Sequence, residues 1–159
     1  MAKPADKDAP RPVNIQNRRA RYEYAFLTTY VAGIMLQGTE IKSIREGNVQ
    51  IQDGFCSFQL NGSLWVHGMQ IGRYTAGTYN NHEPLRVRKL LLQKRELRQL
   101  SGKASEAGLT IIPIRLFVSE RGFAKLEIAL ARGKKLYDKR EDLKAKDAKR
   151  EVRESRLGE

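Results

Sequence analysis

Cysteine occurs once in these 159 residues, at Cys56, and histidine twice, at His67 and His82. One cysteine excludes an internal disulfide, and so few soft ligands exclude a cysteine-rich or Cys/His-spaced metal site. No apolar run approaches the length of a membrane span or of a signal-peptide core, which points to a soluble, cytoplasmic protein without a membrane partner. A Gly-rich phosphate loop with its Lys, GxSxG and HExxH are all missing. Glu40 has no second carboxylate or histidine close in sequence to work with as a general base. His67 falls in a strand-like run and reads as a packed or surface residue, His82 in NNHEP as a turn residue, and Cys56 as a small core residue. No enzyme and no cofactor is expected.

What the chain has in excess is positive charge: 30 Lys and Arg against 18 Asp and Glu, for a net +12. Such a chain calls for a polyanionic partner. The charge is segregated. Residues 1–21 carry +4, 22–85 carry −2, 86–98 carry +5, 99–131 carry +1 and 132–159 carry +4. A nearly neutral body therefore bears one short basic patch and two basic arms. From Asp138 onward 15 of 22 residues are charged, and the only large apolar ones are Leu143, Val152 and Leu157. Three such side chains cannot form the stripe that docks a helix on its own domain. The segment can be helical, but ion pairs such as Asp142 with Lys146 leave an isolated helix marginal. It reads as a tail ordered by an acidic partner, and it lacks the Trp, Phe and Leu face of an interfacial membrane helix.

Along the chain, residues 1–16 hold Pro4, Pro10 and Pro12 among alternating charges and read as a disordered leader. From Arg21 to Leu36 the alternation of Tyr22, Tyr24 and Phe26 with their neighbours predicts one long bent strand or two. Thr39 is the expected N-cap of a short helix that Gly47 stops. Residues 48–60 alternate, Asn61-Gly62 turns the chain, and 63–71 return as a strand. A polar loop over 72–85 precedes a short strand from Arg88 to Leu92 and a helix from Gln93 to Ala107. Two last strands, 110–119 and 123–131, meet at Glu120-Arg121-Gly122, and Pro113 predicts an edge or a bulge in the first. There are no internal repeats. Short antiparallel strands with one late helix fit a small closed or partly open barrel of the oligonucleotide-binding type, although a generic α+β sheet would read similarly.

Two clusters carry nucleic-acid chemistry. Arg18, Arg19 and Arg21 stand directly before the aromatic alternation; guanidinium groups fork onto phosphates, and tyrosines either stack on unpaired bases or fill strand cores. Arg86, Arg88, Lys89, Lys94, Arg95 and Arg98 place six cations in 13 residues around Leu90, Leu91 and Leu92. Binding through such patches weakens steeply with salt. A basic ribosomal or assembly protein would share this layout. A small nucleic-acid-processing enzyme fits less well, because acid pairs and metal ligands are missing.

Four blocks in register, NRRARYEY (17–24), GTEIKSIREGNVQIQDGF (38–55), LRVRKLLLQKREL (85–97) and ALARGKKLYDKRE (129–141), resemble the SsrA-binding, or small protein B, family of bacteria. The resemblance runs from about Asn17 to Glu151. It implies a mainly β fold, an oligonucleotide-binding-like antiparallel barrel over 17–135 with about three helices, followed by a charged C-terminal tail over 136–159 that is disordered until a partner orders it. It implies a non-enzymatic adaptor of trans-translation. Such an adaptor grips the tRNA-like domain of transfer-messenger RNA and supports its alanyl charging. It reaches stalled ribosomes with that RNA and enters the decoding centre and empty message channel with a tail that turns helical there. The implied partners are that RNA, the ribosome through its small-subunit rRNA, and indirectly alanyl-tRNA synthetase and elongation factor Tu. Matching motif positions make Asn17, Arg19, Arg21, Tyr24, Glu40, Lys42, Ser43, Arg88, Lys89, Leu91, Gly133, Lys134 and Lys135 the RNA-binding candidates. Asp138, Lys139 and Arg140 match the decoding-centre triplet. Glu40 would either accept hydrogen bonds from base or 2′-hydroxyl groups or orient a neighbouring arginine, and Glu40→Ala is expected to weaken RNA binding without unfolding the domain. The chain departs from the family pattern at Glu83, where Asp usually precedes Pro84.

Overall fold

Strands dominate the computed structural model of the chain, which describes residues 13–77, 81–134 and 136–157. The order is β1 (Asn14–Gln16), α1 (Arg18–Glu23), β2 (Tyr24–Ile34), α2 (Gly38–Arg45), β3 (Val49–Gln50), β4 (Phe55–Phe58), β5 (Leu64–His67), β6 (Gln70–Ile71), β7 (Arg88–Leu91), α3 (Lys94–Ala104), β8 (Leu109–Val118), β9 (Ala124–Gly133) and α4 (Leu136–Leu157). Six strands close a ring in the order β8–β4–β5–β7–β2–β9 and back to β8, with β1 added on β8; β3 and β6 pair separately. All pairings are antiparallel. The ring is unevenly sewn. Strand β9 pairs with β2 and with β8 along nearly its whole length, whereas β7 meets β2 at two positions and β4 meets β8 only at Cys56 and Ile111.

Alternation along the strands turns one set of side chains into the ring. Leu64, Val66, Leu90, Leu116, Leu126, Ile128 and Leu130 are buried there, together with Ile44 of α2 and Leu100 of α3. Removing a leucine from such an interior costs about 2–5 kcal/mol. A bulge between Phe26 and Thr28 flips the alternation of β2. Before it, Tyr24 and Phe26 pack with Ala20, Ile112, Ile114, Ala129 and Ala131 in a second, smaller cluster beneath α1; after it, Tyr30, Ala32 and Ile34 belong to the main core.

Local signals of the sequence are visible in these elements. Gly62, with φ of 81°, turns β4 into β5, Gly122 with φ of 87° turns β8 into β9, and β8 bulges between Pro113 and Arg115. Other expectations need correction. Asn14–Gln16, placed at the end of a disordered leader, form a strand on β8 in which Ile15 lies opposite Leu116; residues 1–12 lie outside the described ones. Arg21 to Glu23 are helix, not strand. Residues 48–60 and 63–71 each break into two short strands, and the second break falls at Gly68, whose φ is 71° and where a Cβ would meet the Asp53 carbonyl at 2.5 Å. Helix α2 begins at Gly38 with Gln37 as its cap, two residues earlier than a Thr39 cap requires. Four helices stand among the described residues, three of them within residues 17–135, in keeping with the about three expected there. The fourth is the tail, and all of its described side chains are exposed.

Candidate nucleic-acid interface

Helix α1 is short, and its position depends on one side chain. The Asn17 Oδ1 accepts from the Ala20 N–H at 3.1 Å, capping the helix, while its Nδ2 donates to the Pro113 carbonyl at 2.9 Å. The Asn17 N–H donates to the Ile114 carbonyl at 2.8 Å. Asn17 is therefore buried and fixes α1 to β8, and Ala20 seals the joint. With that face inward, Arg18, Arg19 and Arg21 point to solvent. Arg19 is held by Glu23 at 2.9 Å and lies 3.7 Å from Asp53. Asn17, Arg19 and the half-buried Tyr24 line one cleft of about 240 Å³ together with Asp53 and Phe55. Gly133 lies opposite Tyr24, the Lys134 N–H donates to the Glu23 carbonyl at 2.9 Å, and its Nζ donates to the Arg21 carbonyl at 3.2 Å. The exit of β9 is thus stapled to α1. Beside it, Arg18, Arg21, Lys134, Lys146 and Lys149 line a broader groove between α1 and α4. Lys135 lies outside the described residues. Asp138, Lys139 and Arg140 fall in the first turns of α4; Arg140 is exposed, and the side chains of the other two lie outside the described ones.

The GTEIKS block has a different role from a surface contact. Glu40 has no exposed surface. Its carboxylate accepts from the Gln37 N–H at 3.1 Å, from Arg86 Nε at 3.0 Å and Nη2 at 2.6 Å, and from Arg88 Nε through a short bond. Arg88 is itself fully buried and donates onward to the Met69 carbonyl at 2.8 Å and the Pro84 carbonyl at 3.2 Å. Burial pushes the Glu40 carboxyl up, but hydrogen bonds from Arg88, the Gln37 amide and Arg86 outweigh it and hold the carboxyl below its ordinary pKa. Burial likewise draws the Arg88 guanidinium down, and Glu40 opposes this. Ser43 is buried in the same helix, and its hydroxyl has no partner among the described residues. His82 is buried as well, bonded to Thr39 Oγ1 and the Ile71 carbonyl at 2.9 Å each.

What this knot presents outward is an apolar and basic strip. Because Arg88 and Leu90 point in, Lys89 and Leu91 point out, with Leu91 50% exposed and packed beside Gly33. Arg86 stays partly exposed at the rim. Lys42 is exposed and lies over the Tyr74 ring, 5.5 Å from its centroid. The structure therefore divides the candidates. Arg19, Arg21, Tyr24, Lys42, Lys89, Leu91, Gly133 and Lys134 reach the surface, while Asn17, Glu40, Ser43 and Arg88 support it from beneath. The sequence reading missed Phe55, which the alternation around Cys56 turns outward and which stacks on His67.

Among the described residues no cluster of His, Cys, Asp and Glu could hold a metal ion, and no helix is long and apolar enough to cross a membrane. The comparisons with known proteins agree with one another. The family model for the SmpB protein matches residues 14–156. The SsrA-binding protein of Phocaeicola vulgatus is 55% identical over 143 residues, 90% of this chain and 95% of that one. That of Cytophaga hutchinsonii is 52% identical over 151 residues, 95% of this chain and 98% of that one. A solved chain from a study of tmRNA and SmpB at the center of the bacterial ribosome is 48% identical, with a TM-score of 0.67 over 78% of this chain and 86% of that chain. With its sequence blocks in register, its ring of strands and relatives matched over nearly their full lengths, the chain belongs to the SmpB protein family.

Proposed function

We propose that the chain is a non-enzymatic RNA-binding adaptor of trans-translation, whose ligand is the tRNA-like domain of transfer-messenger RNA. Family membership over residues 14–156 is the observation that carries the reading. The distribution of charge supports it independently, because the exposed arginines of α1 and the outward strip of β7 stand on one closed ring that we read as an oligonucleotide-binding-type barrel. Arg19, Arg21 and Lys134 take phosphates, Tyr24 and Leu91 contact bases or sugars, and Lys42 and Lys89 extend the basic surface. Asn17, Glu40, Ser43 and Arg88 act as positioning residues; Glu40 orients Arg86 and so keeps one guanidinium at the rim.

The bound RNA carries the adaptor to stalled ribosomes in the cytoplasm, with alanyl-tRNA synthetase and elongation factor Tu as indirect partners. The tail, α4, then enters the decoding centre through Asp138, Lys139 and Arg140 and continues into the empty message channel. An alternating, net-basic helix with no described side chain committed to its own domain's core suits walls made of rRNA.

A gel-shift titration with transfer-messenger RNA and an ordinary tRNA at physiological salt tests the first half. A large preference for the former is expected; equal, salt-sensitive binding would favour a general ribosomal protein. Removing residues 138–159 tests the second half. RNA affinity should persist while tagging of stalled peptides is lost, and a truncated protein that no longer binds RNA would refute the separation of body from tail.

A further inference from the structure

The outer surface of the ring is covered by α1 over the part of β8 and β9 that holds the second cluster, but not over β4, β5 and β7. On those three strands the outward positions are Phe55, Ser57, Trp65, His67, Lys89 and Leu91. Phe55 lies opposite His67, Ser57 opposite Trp65, and Trp65 opposite Lys89 on the next strand. The rings of Phe55 and His67 are nearly parallel, 7° apart with centroids 5.0 Å apart. His67 is fixed by a 2.8 Å hydrogen bond between Nε2 and Ser57 Oγ, and Trp65 by one from Nε1 to Ser63 Oγ at 2.8 Å. These rings are therefore held in place before any ligand arrives, yet Phe55 remains 48% exposed. An aromatic ring that is immobilised by hydrogen-bonded neighbours and still open to solvent loses little entropy when a planar ligand stacks on it.

Two observations select the ligand. The only charged side chain at these outward positions is Lys89, a cation, so the strip suits a partner that combines flat rings with negative charge. Phe55 also forms a wall of the 240 Å³ cleft that Asn17, Arg19 and Tyr24 line, which has room for a nucleobase. We propose that Phe55, braced on His67, is the stacking platform for an unpaired RNA base at the border between that cleft and the β4–β5 surface. Lys89, beside Trp65, takes a flanking phosphate. The inference rests on the RNA-binding reading above and adds to it a site on the β4–β5 hairpin; Phe55 closes the block over 38–55, but of the site's residues only Lys89 stands among the contact positions that the family resemblance implies.

Trp65 is the only tryptophan of the chain, so its emission reports on this surface without labelling. The full chain is titrated with the isolated tRNA-like domain RNA, and separately with a short oligoadenylate, while Trp65 fluorescence is read alongside a gel shift. Quenching of Trp65 by both RNAs is expected. Phe55→Ala should bind the tRNA-like RNA roughly tenfold more weakly, and Phe55→Tyr within about twofold of the parent. Because Phe55 is half exposed, circular dichroism of Phe55→Ala should match the parent; if it does not fold, quenching in the parent and the Phe55→Tyr titration decide. RNA that shifts in the gel while Trp65 emission stays unchanged, or a folded Phe55→Ala with parental affinity, overturns the platform and leaves the adaptor reading intact. Absence of any gel shift with the tRNA-like RNA refutes the adaptor reading instead. In that case oligoadenylate quenching sustains the platform and its absence overturns it.

Discussion

Replacing Glu40 by Ala removes the acceptor of hydrogen bonds from Arg86, Arg88 and the Gln37 amide at once. Arg86 can turn toward water because it is partly exposed. Arg88 cannot, since its surface exposure is zero. It keeps the Met69 and Pro84 carbonyls, but its charge is left buried without a counter-ion. Breaking one partner of a buried pair costs about 3–5 kcal/mol. For a chain of this size each kcal/mol lowers the midpoint by about 2–4 °C, so thermal unfolding followed by circular dichroism should fall by roughly 6–20 °C. This revises the expectation from sequence alone that Glu40→Ala would spare the fold. Replacing both Glu40 and Arg88 by Met should recover much of the loss, because the pair is then exchanged for apolar packing. The same site predicts a pH dependence. Its folded pKa is depressed, so its stabilisation is complete above the unfolded value of about 4.3 and is lost as pH falls through the folded one. Glu40→Gln should therefore lose less stability than the parent between about pH 5 and pH 3. A Glu40→Ala protein that melts within about 2 °C of the parent while its RNA affinity drops would sink this reasoning and restore Glu40 as a surface contact.

Asn17→Ala should destabilise the body by about 1–3 kcal/mol in urea unfolding, since it uncaps α1 and orphans the Pro113 carbonyl; no change would mean that Ala20 and the main-chain bond from residue 17 to Ile114 hold α1 without the side chain. Leu91→Ala should leave the urea midpoint nearly unchanged, because the side chain is half exposed, yet weaken binding of the tRNA-like RNA several-fold in a gel shift. Burial raises the Cys56 thiol far above its ordinary pKa, so iodoacetamide at mildly alkaline pH should leave native Cys56 intact and modify it fully in urea, as mass spectrometry would read. Rapid native labelling would show that the single-pair seam between β4 and β8 opens readily.

The parts of the fold that local chemistry determines were legible in the sequence. Asn61-Gly62 and Gly122 mark the two tight turns, Pro113 marks the bulge of β8, and alternation around Leu90 and Leu126 marks strands with one buried face. What was not legible depends on partners far away along the chain. Helix α1 reads as strand because Tyr22 and Tyr24 alternate; it is a helix because Asn17 finds the Pro113 carbonyl 96 residues later. Glu40 looks like a surface carboxylate until Arg86 and Arg88, 46 and 48 residues on, enclose it. Phe55 was hidden in the alternation of β4, whose register across β5 alone brings His67 beside it. The family blocks located the candidates, but only side-chain burial separated those that touch solvent from those that hold them up.

The staple between β9 and α1 gives the tail a fixed origin. Glu23 and Arg21 hold Lys134 by two hydrogen bonds, and α4 starts at Leu136. Its 22 residues make a rod about 33 Å long. A swing of about 30° at the anchored end carries the far end through about 17 Å, the width of several nucleotides, while the ring of strands stays still. Fine adjustments of α1 against β8 are thereby magnified along the described helix, whose far end lies about 33 Å from the anchored one.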